Sequence, residues 1–208
     1  MWYALLPNHD SSESLLTQGI FLADDRPPSI ASFRAAHLIE RLGRVVRADG
    51  FAFGLNPAQW EALRYLARAN RFSRTPAALA DYFNVSRGTV SQTLIALEEK
   101  GLVEKSRSAR DARVVDLALT ADGRRMLTND AERALAAAID EGGSAGEIAA
   151  LLASALSRAL ARRGGKAFGV CKTCRHFRRE GTSLACALLN TPLTAQDAEA
   201  ICAEMEAA

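Results

Sequence analysis

The feature that most limits how this chain folds is a pair of predicted helices, each with its own start signal, that are joined by a very short turn. Thr75-Pro76 is typical of the start of one helix, and Ser86 caps a second apolar segment that stops before Gly101. Only residues 84–85 stand between the two segments. Two helices joined so tightly, with a serine cap on the second, are typical of a helix-turn-helix.

The segments on either side extend this pattern in a fixed order. Asn56-Pro57 starts a helix before the pair, and the runs "LVEKS" and "RVVDLAL" after it have the apolar character of a strand hairpin. Apolar spacings of three and four residues and local caps predict longer helices over about 29–48, 120–140 and 146–162. The predicted fold is mainly α: a winged helix-turn-helix with long dimerisation helices and a small C-terminal cysteine-rich module.

The second helix of the pair is the candidate recognition helix. Its apolar positions Val90, Leu94 and Leu97 face the core, which leaves the polar residues near its start toward solvent. Hydroxyls and backbone amides at a helix N-terminus suit phosphates, and arginine and glutamine reach base edges in the major groove. The residues predicted to contact DNA here are Ser86, Arg87, Gly88, Thr89, Ser91 and Gln92.

The charged tip of the hairpin is the second candidate contact with DNA. Arginines on a thin wing suit the narrow, negative minor groove. The candidate residues are Lys105, Arg107, Arg110 and Arg113. We interpret Asp111 as orienting Arg113 through an ion pair. A solvated loop is the alternative for this charge run alone, and its combination with the helices, the short turn and the cap favours DNA binding.

The stretch "ALADYFNVSRGTVSQTLIALEEKGLVEKSRSARDARVVDLALTADG" resembles the MarR family of bacterial regulators (multiple antibiotic resistance regulators). The family's recognition start S-x-x-T-V-S is residues 86–91 here, and its wing motif D-x-R is residues 111–113. The resemblance covers about residues 30–160. It implies an obligate homodimer built by the first and the last two helices, a pseudo-palindromic operator and, in many members, a ligand pocket between the dimerisation and DNA-binding parts. One departure is Ala112, where many members carry a second basic residue.

Charge and composition narrow the class of protein. The net charge is only +2, so a DNA partner needs a local basic patch. No apolar run reaches the length of a membrane span and the first ten residues lack a secretory signal, so we expect a cytoplasmic protein with no membrane partner. The sequence shows no Gly-rich phosphate loop, no nucleophile paired with a base and no clustered histidines. We therefore expect a regulator and not an enzyme.

All four cysteines lie close to one end of the chain. They are Cys171, Cys174, Cys186 and Cys202. In a cytosolic chain such clustering favours metal ligation over structural disulfides. The first pair makes a chelate loop, and the two distant cysteines complete a tetrahedral thiolate set. Metal binding would then supply folding energy to a segment too short for a core of its own.

The identity of the metal is left open by the spacing. Four thiolates satisfy an iron-sulfur cluster, such as [4Fe-4S], and also Zn²⁺. The spacing is similar to the ligand layout of high-potential iron-sulfur proteins, which favours the cluster. His176 is an alternative ligand to one cysteine, and a metal-free dithiol of Cys171 and Cys174 is the remaining alternative.

These patterns divide the chain into three predicted regions: an N-terminal arm (1–28), a MarR-like winged-helix and dimerisation domain (29–164) and a four-cysteine metal module (165–208). The expected function is sequence-specific transcriptional regulation, as a repressor, with the cysteine site sensing redox state or iron. Loss of the metal is expected to act through the helix from Ser144 to Arg162. One alternative is the same regulator with a structural zinc and a small-molecule effector, and the other is a dithiol redox or electron-transfer protein.

Overall fold

The computed structural model describes residues 27–48, 52–109, 111–166 and 168–206. The chain divides into two compact units between His37 and Leu38. Nearly all of the predicted N-terminal arm lies outside the described residues. Helix α1 (Ile30–Ala48) begins in the first unit and continues into the second. Ser29 caps it, because the Ser29 Oγ accepts the N–H of Ser32 at 3.1 Å.

The second unit is built on three helices whose starts are fixed by local caps. Their bounds are α2 (Pro57–Arg68), α3 (Pro76–Phe83) and α4 (Arg87–Glu99). Asn56 and Gln59 form a capping box on α2, while Thr75 and Ser86 cap α3 and α4 through their hydroxyls. Asn84 ends α3 in the left-handed conformation (φ 53°). The predicted helix-turn-helix is therefore present, with its turn at the expected position.

A two-stranded hairpin follows these helices and completes the winged arrangement. Strand β1 (Val103–Arg107) pairs antiparallel with β2 (Val115–Leu119), in a register that sets Val103 opposite Leu119. The backbone N–H of Leu117 also donates to the carbonyl of Arg74 at 2.8 Å, which ties the hairpin to the segment before α3. The core between helices and hairpin includes the fully buried side chains Leu63, Tyr65, Leu66, Leu79, Leu94, Leu97 and Val103.

The single long helix predicted over 120–140 is wrong. The structure has a short helix α5 (Ala121–Met126), a 3₁₀ turn (Leu127–Asn129) and then a separate helix α6 (Ala131–Glu141). The break lies at Asp130, whose backbone is extended (φ −76°, ψ 138°). Its carboxylate accepts the N–H of Glu132 at 3.3 Å and the Nε–H of Arg64 at 2.7 Å. A buried ion pair with α2 therefore replaces helical continuity.

Helix α7 (Ala145–Arg162) follows a Gly-Gly turn, as predicted. Neither α1, α6 nor α7 has a buried residue, although each has an apolar face. The exposed fraction is 50 % for Leu38 on α1 and 71 % for Leu151 on α7. Among the described helices, none combines the length and the hydropathy needed to cross a membrane.

The cysteine-bearing segment (residues 168–206, hereafter the cysteine module) forms small sheets and one short helix. Strand β3 (Gly169–Val170) leads into a 3₁₀ turn (Cys171–Thr173). A three-stranded antiparallel sheet follows, with its strands side by side in chain order. A short helix and a last strand then bring the chain back to β3. The bounds are β4 (Phe177–Glu180), β5 (Ser183–Cys186), β6 (Thr191–Leu193), α8 (Ala195–Glu199) and β7 (Ile201–Cys202).

The cysteine module shares its packing with the helix-turn-helix. Ala203 is 4 % exposed and belongs to the main core, against which Phe168 and Ile201 also pack. The Phe168 ring meets Tyr65 and Tyr82 edge-on at centroid distances of 6.5 and 5.0 Å. Full burial of a large apolar side chain is worth roughly 1.5–3 kcal/mol, and the partly buried Phe168 and Ile201 each gain a fraction of that. The segment is thus held by the core of the helix-turn-helix as well as by its own sheets.

The Arg64–Asp130 pair gives stability a specific pH dependence. Burial raises the pKa of Asp130, but the hydrogen bonds and charge of Arg64 outweigh burial and lower it. This carboxylate therefore contributes stability above its unfolded pKa, and the contribution is lost as pH falls through the folded value. We expect Asp130→Asn to reduce the free energy of unfolding by about 1–3 kcal/mol at pH 7, and by progressively less below about pH 4.

Urea unfolding at several pH values measures this difference. Asp140→Asn is the matched control, because Asp140 is exposed on the same helix, α6, and its replacement should change stability by less than about 0.5 kcal/mol. A constant gap between the wild-type protein and Asp130→Asn from pH 7 to pH 3 would contradict the assignment.

Candidate nucleic-acid interface and cysteine cluster

The start of α4 presents a polar surface on a rigid support. Val90, Leu94 and Leu97 are 2, 1 and 0 % exposed and anchor the helix to the core. The Ser86 Oγ accepts the N–H of Thr89 at 3.1 Å and lies 2.9 Å from the Thr89 Oγ1. All the residues predicted to contact DNA here are exposed: Ser86, Arg87, Gly88, Thr89, Ser91 and Gln92. The structure thus places these six together on one helix start.

One of the three wing cations that the structure describes is already paired with a carboxylate. Arg107 and Arg113 are exposed at the two sides of the hairpin tip. Lys105 is half-buried, and its Nζ lies 2.6 Å from Oε2 of Glu98 on α4. This pairing neutralises Lys105 and joins the wing to α4, so Lys105 is a weaker candidate for phosphate contact. Arg110 lies outside the described residues.

Asp111 acts on the backbone of the wing. Its Oδ1 accepts the backbone N–H of Arg113 at 2.9 Å, and the N–H of Val114 donates to its carbonyl at 2.9 Å. Within the described part of the wing, no ion pair joins Asp111 to the guanidinium of Arg113, so the predicted ion pair is replaced by an Asx-type turn. The turn fixes the path of the wing tip and leaves the guanidinium of Arg113 exposed.

A groove lies between the wing, the start of α3 and the cysteine module. Its lining includes Thr75, Arg87 and Arg113 from the helix-turn-helix side and Leu189 and Glu204 from the cysteine module. Two of the arginines predicted to bind DNA therefore line the same groove as residues of the cysteine module. The cysteine module lies beside the candidate DNA surface.

Two of the predicted metal ligands are in direct contact. Cys171 and Cys202 are both 5 % exposed, and pairing of β3 with β7 brings their chain segments together. The hydrogen bond with Cys202 and then burial raise the pKa of Cys171. The same hydrogen bond, followed by the backbone N–H of Glu204, lowers the pKa of Cys202 to about 6 against the effect of burial. The two thiols therefore interact closely enough to shift each other's pKa in opposite directions.

The other two predicted ligands lie in the same cysteine module. Cys186 sits opposite Phe177 in the β4–β5 ladder, and its charge contributes to the raised pKa of Cys171. The N–H of Cys174 donates to the carbonyl of Cys171 at 3.0 Å across the 3₁₀ turn. Within the described ranges, no three or more histidine, cysteine, aspartate or glutamate residues form a group that could hold a metal ion as they stand. The four-cysteine site stays a prediction.

Amide donors point at two of the sulfurs. The Nδ2–H of Asn70 donates to Sγ of Cys171 at 3.2 Å, and the backbone N–H of Glu206 donates to Sγ of Cys174 at 3.4 Å. The alternative ligand His176 has its Nε2 3.3 Å from a carboxylate oxygen of Glu206. Donors of this kind stabilise sulfur in its thiolate form.

Sequence reasoning missed the residues that join the cysteine module to the helix-turn-helix. Asn70 and Ser73, each 1 % exposed, lie in the loop of residues 69–75 between α2 and α3 (the α2–α3 loop). Their partners Cys171 and Ala203 are 101 and 130 residues away in the sequence. The pattern Asn-x-x-Ser before Thr-Pro signals a turn, but no local signal indicates such distant partners.

Residues 53–114 match the family model described as MarR family. No curated protein matches the chain. Solved structures similar to part of it include a MarR transcriptional regulator from Methanosarcina mazei Go1 (20 % identity, TM-score 0.49, covering 64 % of this chain and 98 % of that chain). Others are the transcriptional regulator BldR from Sulfolobus solfataricus (23 %, 0.47, covering 62 % and 96 %) and the S. aureus MepR–DNA complex (23 %, 0.36, covering 62 % and 98 %).

The cap of α4 makes a testable contribution to stability. We expect Ser86→Ala to lower the free energy of unfolding by about 1 kcal/mol, because the N–H of Thr89 loses its acceptor. Ser91→Ala, at an exposed serine five residues further along that caps no helix, should change it by less than about 0.5 kcal/mol. Denaturant unfolding without DNA measures both. Equal effects of the two substitutions would argue against the cap.

Proposed function

We propose that this protein is a sequence-specific DNA-binding transcriptional regulator of the MarR type that acts as a homodimer. The observation that carries the proposal is the start of α4, where exposed polar residues stand on a helix anchored by Val90, Leu94 and Leu97 beside an arginine-bearing wing. The family match to residues 53–114 covers this same region. A rigid helix start beside a basic hairpin is the arrangement that enters a major groove and flanks it.

Each part of the surface has a distinct task in this proposal. The hydroxyls of Ser86 and Thr89 and the free amides of the first turn of α4 hold phosphates and set the register on the duplex. Arg87 and Gln92 reach base edges in the major groove, where both side chains find bidentate partners. Arg113 on the wing enters the minor groove.

A second copy of this chain accounts for the apolar faces of the outer helices. Leu42 of α1 and Leu151, Leu152 and Leu156 of α7 are all more than two-fifths exposed. A symmetric partner would bury these side chains and present two recognition helices to DNA. A two-fold axis in the protein corresponds to a pseudo-palindromic operator. Binding over a promoter would then make the protein a repressor.

DNA binding is tested by removing one arginine at a time. We expect Arg87→Ala and Arg113→Ala each to weaken binding to a duplex selected from a randomised pool by about 10-fold, or roughly 1.4 kcal/mol. Because each variant removes one positive charge from the interface, the slope of log K against log salt should also fall in magnitude by about 1.

Arg133→Ala is the matched control, because Arg133 is exposed on α6 and away from the candidate surface in sequence. Fluorescence anisotropy over a salt series measures affinity and slope together. If Arg133→Ala weakened binding while Arg87→Ala and Arg113→Ala did not, the DNA-binding surface would have to lie elsewhere.

We further propose that Cys171, Cys174, Cys186 and Cys202 hold an iron-sulfur cluster. The contact between Cys171 and Cys202, the electrostatic coupling of Cys171 to Cys186 and the amide donors on the sulfurs support it. Metal uptake would draw the remaining thiols toward the Cys171–Cys202 pair. Such a cluster supplies a centre whose integrity depends on iron supply and redox state, so its occupancy would be the signal that the regulator senses.

Iron, sulfide and zinc determination on the full chain tests this site. Protein purified without oxygen should be brown and contain about four iron and four sulfide per chain. Cys171→Ser and Cys202→Ser should each lose most of this iron. His176→Ala is the control and should retain it, because His176 already contacts Glu206.

A different metal content would mean that the cysteines have a different role. One colourless zinc per chain would make the cysteines structural, and control would then fall to a small-molecule effector. No metal, together with a Cys171–Cys202 disulfide in air, would favour a dithiol switch. Loss of iron from His176→Ala would put His176 among the ligands.

A further inference from the structure

The cysteine module is fastened to the α2–α3 loop by backbone and side-chain hydrogen bonds. The N–H of Asn70 donates to the carbonyl of Ile201 at 2.9 Å, and Ala69 forms a parallel bridge with Ile201. The N–H of Ala203 donates to Oγ of Ser73 at 2.8 Å. Strand β7, which carries Cys202, is therefore paired directly with the loop that leads into the helix-turn-helix.

Asn70 uses both ends of its side chain at this junction. Its Nδ2–H donates to Sγ of Cys171 at 3.2 Å. Its Oδ1 accepts the N–H groups of Phe72 and Ser73 at 3.0 and 2.9 Å. The side chain is planar and buried, with 1 % of the residue exposed. A displacement of the Cys171 sulfur must therefore reach the two amides that shape the loop.

The loop passes this displacement to the start of α3. The carbonyl of Ser73 accepts the hydroxyl of Tyr65 at 2.8 Å and the N–H of Thr75 at 2.9 Å. Thr75 is the cap of α3. Helix α3 packs on α4 through the buried side chains of the shared core, including Leu79 and Val90. Three hydrogen bonds thus link the Cys171 sulfur to Thr75, the cap of α3. Helix α3 in turn packs on α4, the proposed recognition helix.

We propose that Asn70 is the positioning residue that couples occupancy of the cysteine site to the placement of α3 and α4, and hence to DNA affinity. This inference rests on the proposed metal site. It replaces a route through α7, none of whose described residues is buried. Drawing the Cys171 sulfur into a metal site changes its hydrogen bond to Asn70 and re-shapes the α2–α3 loop.

The test compares metal dependence of DNA binding in three full-length proteins. Asn70→Asp keeps the Oδ1 acceptor for Phe72 and Ser73 but removes the N–H donor to Cys171. Arg71→Ala is the matched control: Arg71 also joins the loop to the cysteine module, at the carbonyl of Pro192 (2.7 Å) and at Asp197 (2.9 Å), but at no sulfur. Each protein is measured loaded with Co²⁺ alone and stripped by chelator, on a duplex selected from a randomised pool by the wild-type protein.

We expect the Kd of the wild-type protein to differ at least 5-fold between the loaded and stripped forms. The ratio should fall to within about 2-fold of unity in Asn70→Asp and stay at the wild-type value in Arg71→Ala. A purely structural role for Asn70 would weaken both forms equally and leave the ratio unchanged. The thiolate-to-cobalt absorption band verifies that Asn70→Asp still binds metal through its cysteines.

A second measurement on the wild-type protein keeps the test decisive if Asn70→Asp does not fold. Hydrogen exchange of the Phe72 and Ser73 amides should accelerate about 10-fold on stripping, while amides of α7 stay unchanged. Changes confined to α7, or an Asn70→Asp ratio equal to that of the wild type, would overturn the coupling and leave the metal site and DNA binding standing. If the wild-type protein bound no metal, both the metal site and the coupling would be wrong. The Arg87→Ala and Arg113→Ala variants would still test DNA binding independently.

Discussion

The buried polar junction in the α2–α3 loop is the interaction on which the rest of the structure depends. Asn70 and Ser73 are almost completely buried, and an unpaired polar group at such depth costs about 1–3 kcal/mol. Their polar atoms are paired with the loop itself, with Tyr65 and with the cysteine module. A satisfied buried network of this kind specifies a single arrangement of its neighbours. The helix-turn-helix therefore takes part of its geometry from residues more than 100 positions further along the chain.

The candidate DNA surface shows how rigidity and exposure are combined on one helix. Apolar side chains of α4 fix its position from below, and the serine cap fixes where it begins. The exposed residues of its first turn are small or conformationally adaptable. The Lys105–Glu98 ion pair links this helix to the wing, so the two contact elements keep a fixed spacing. A fixed spacing is what reading both grooves of a duplex requires.

Local signals in the sequence were sufficient for most of the helical framework. The caps at Asn56, Thr75 and Ser86 each act on the amide three residues further along, so cap and partner lie within one short stretch of sequence. The break at Asp130 was missed because Arg64, its partner, is 66 residues away, and the local apolar pattern continues through the break. Thr128, Asn129 and Asp130 are poor helix formers and Asp130 caps α6, so a local signal for the break was present but was outweighed by the apolar spacing.

For the candidate sites, the sequence indicated the residue types and missed their partners. The exposed polar start of α4 follows directly from helical periodicity. The cysteines were recognisable as a cluster, but their contact with Asn70 depends on the tertiary path of the chain. The same holds for Glu98, which neutralises a lysine of the wing seven residues away across a change from helix to strand.

The position of Ala203 in the main core has a consequence for synthesis of the protein. A chain leaves the ribosome from its N-terminus, so α2, α3 and α4 emerge well before the strand that completes the α2–α3 loop. Until then Ser73 lacks the amide of Ala203, and the side chains beneath it stay partly open to solvent. A message cut short within the last few codons of this region would therefore yield a helix-turn-helix that is complete in sequence but unfinished in structure.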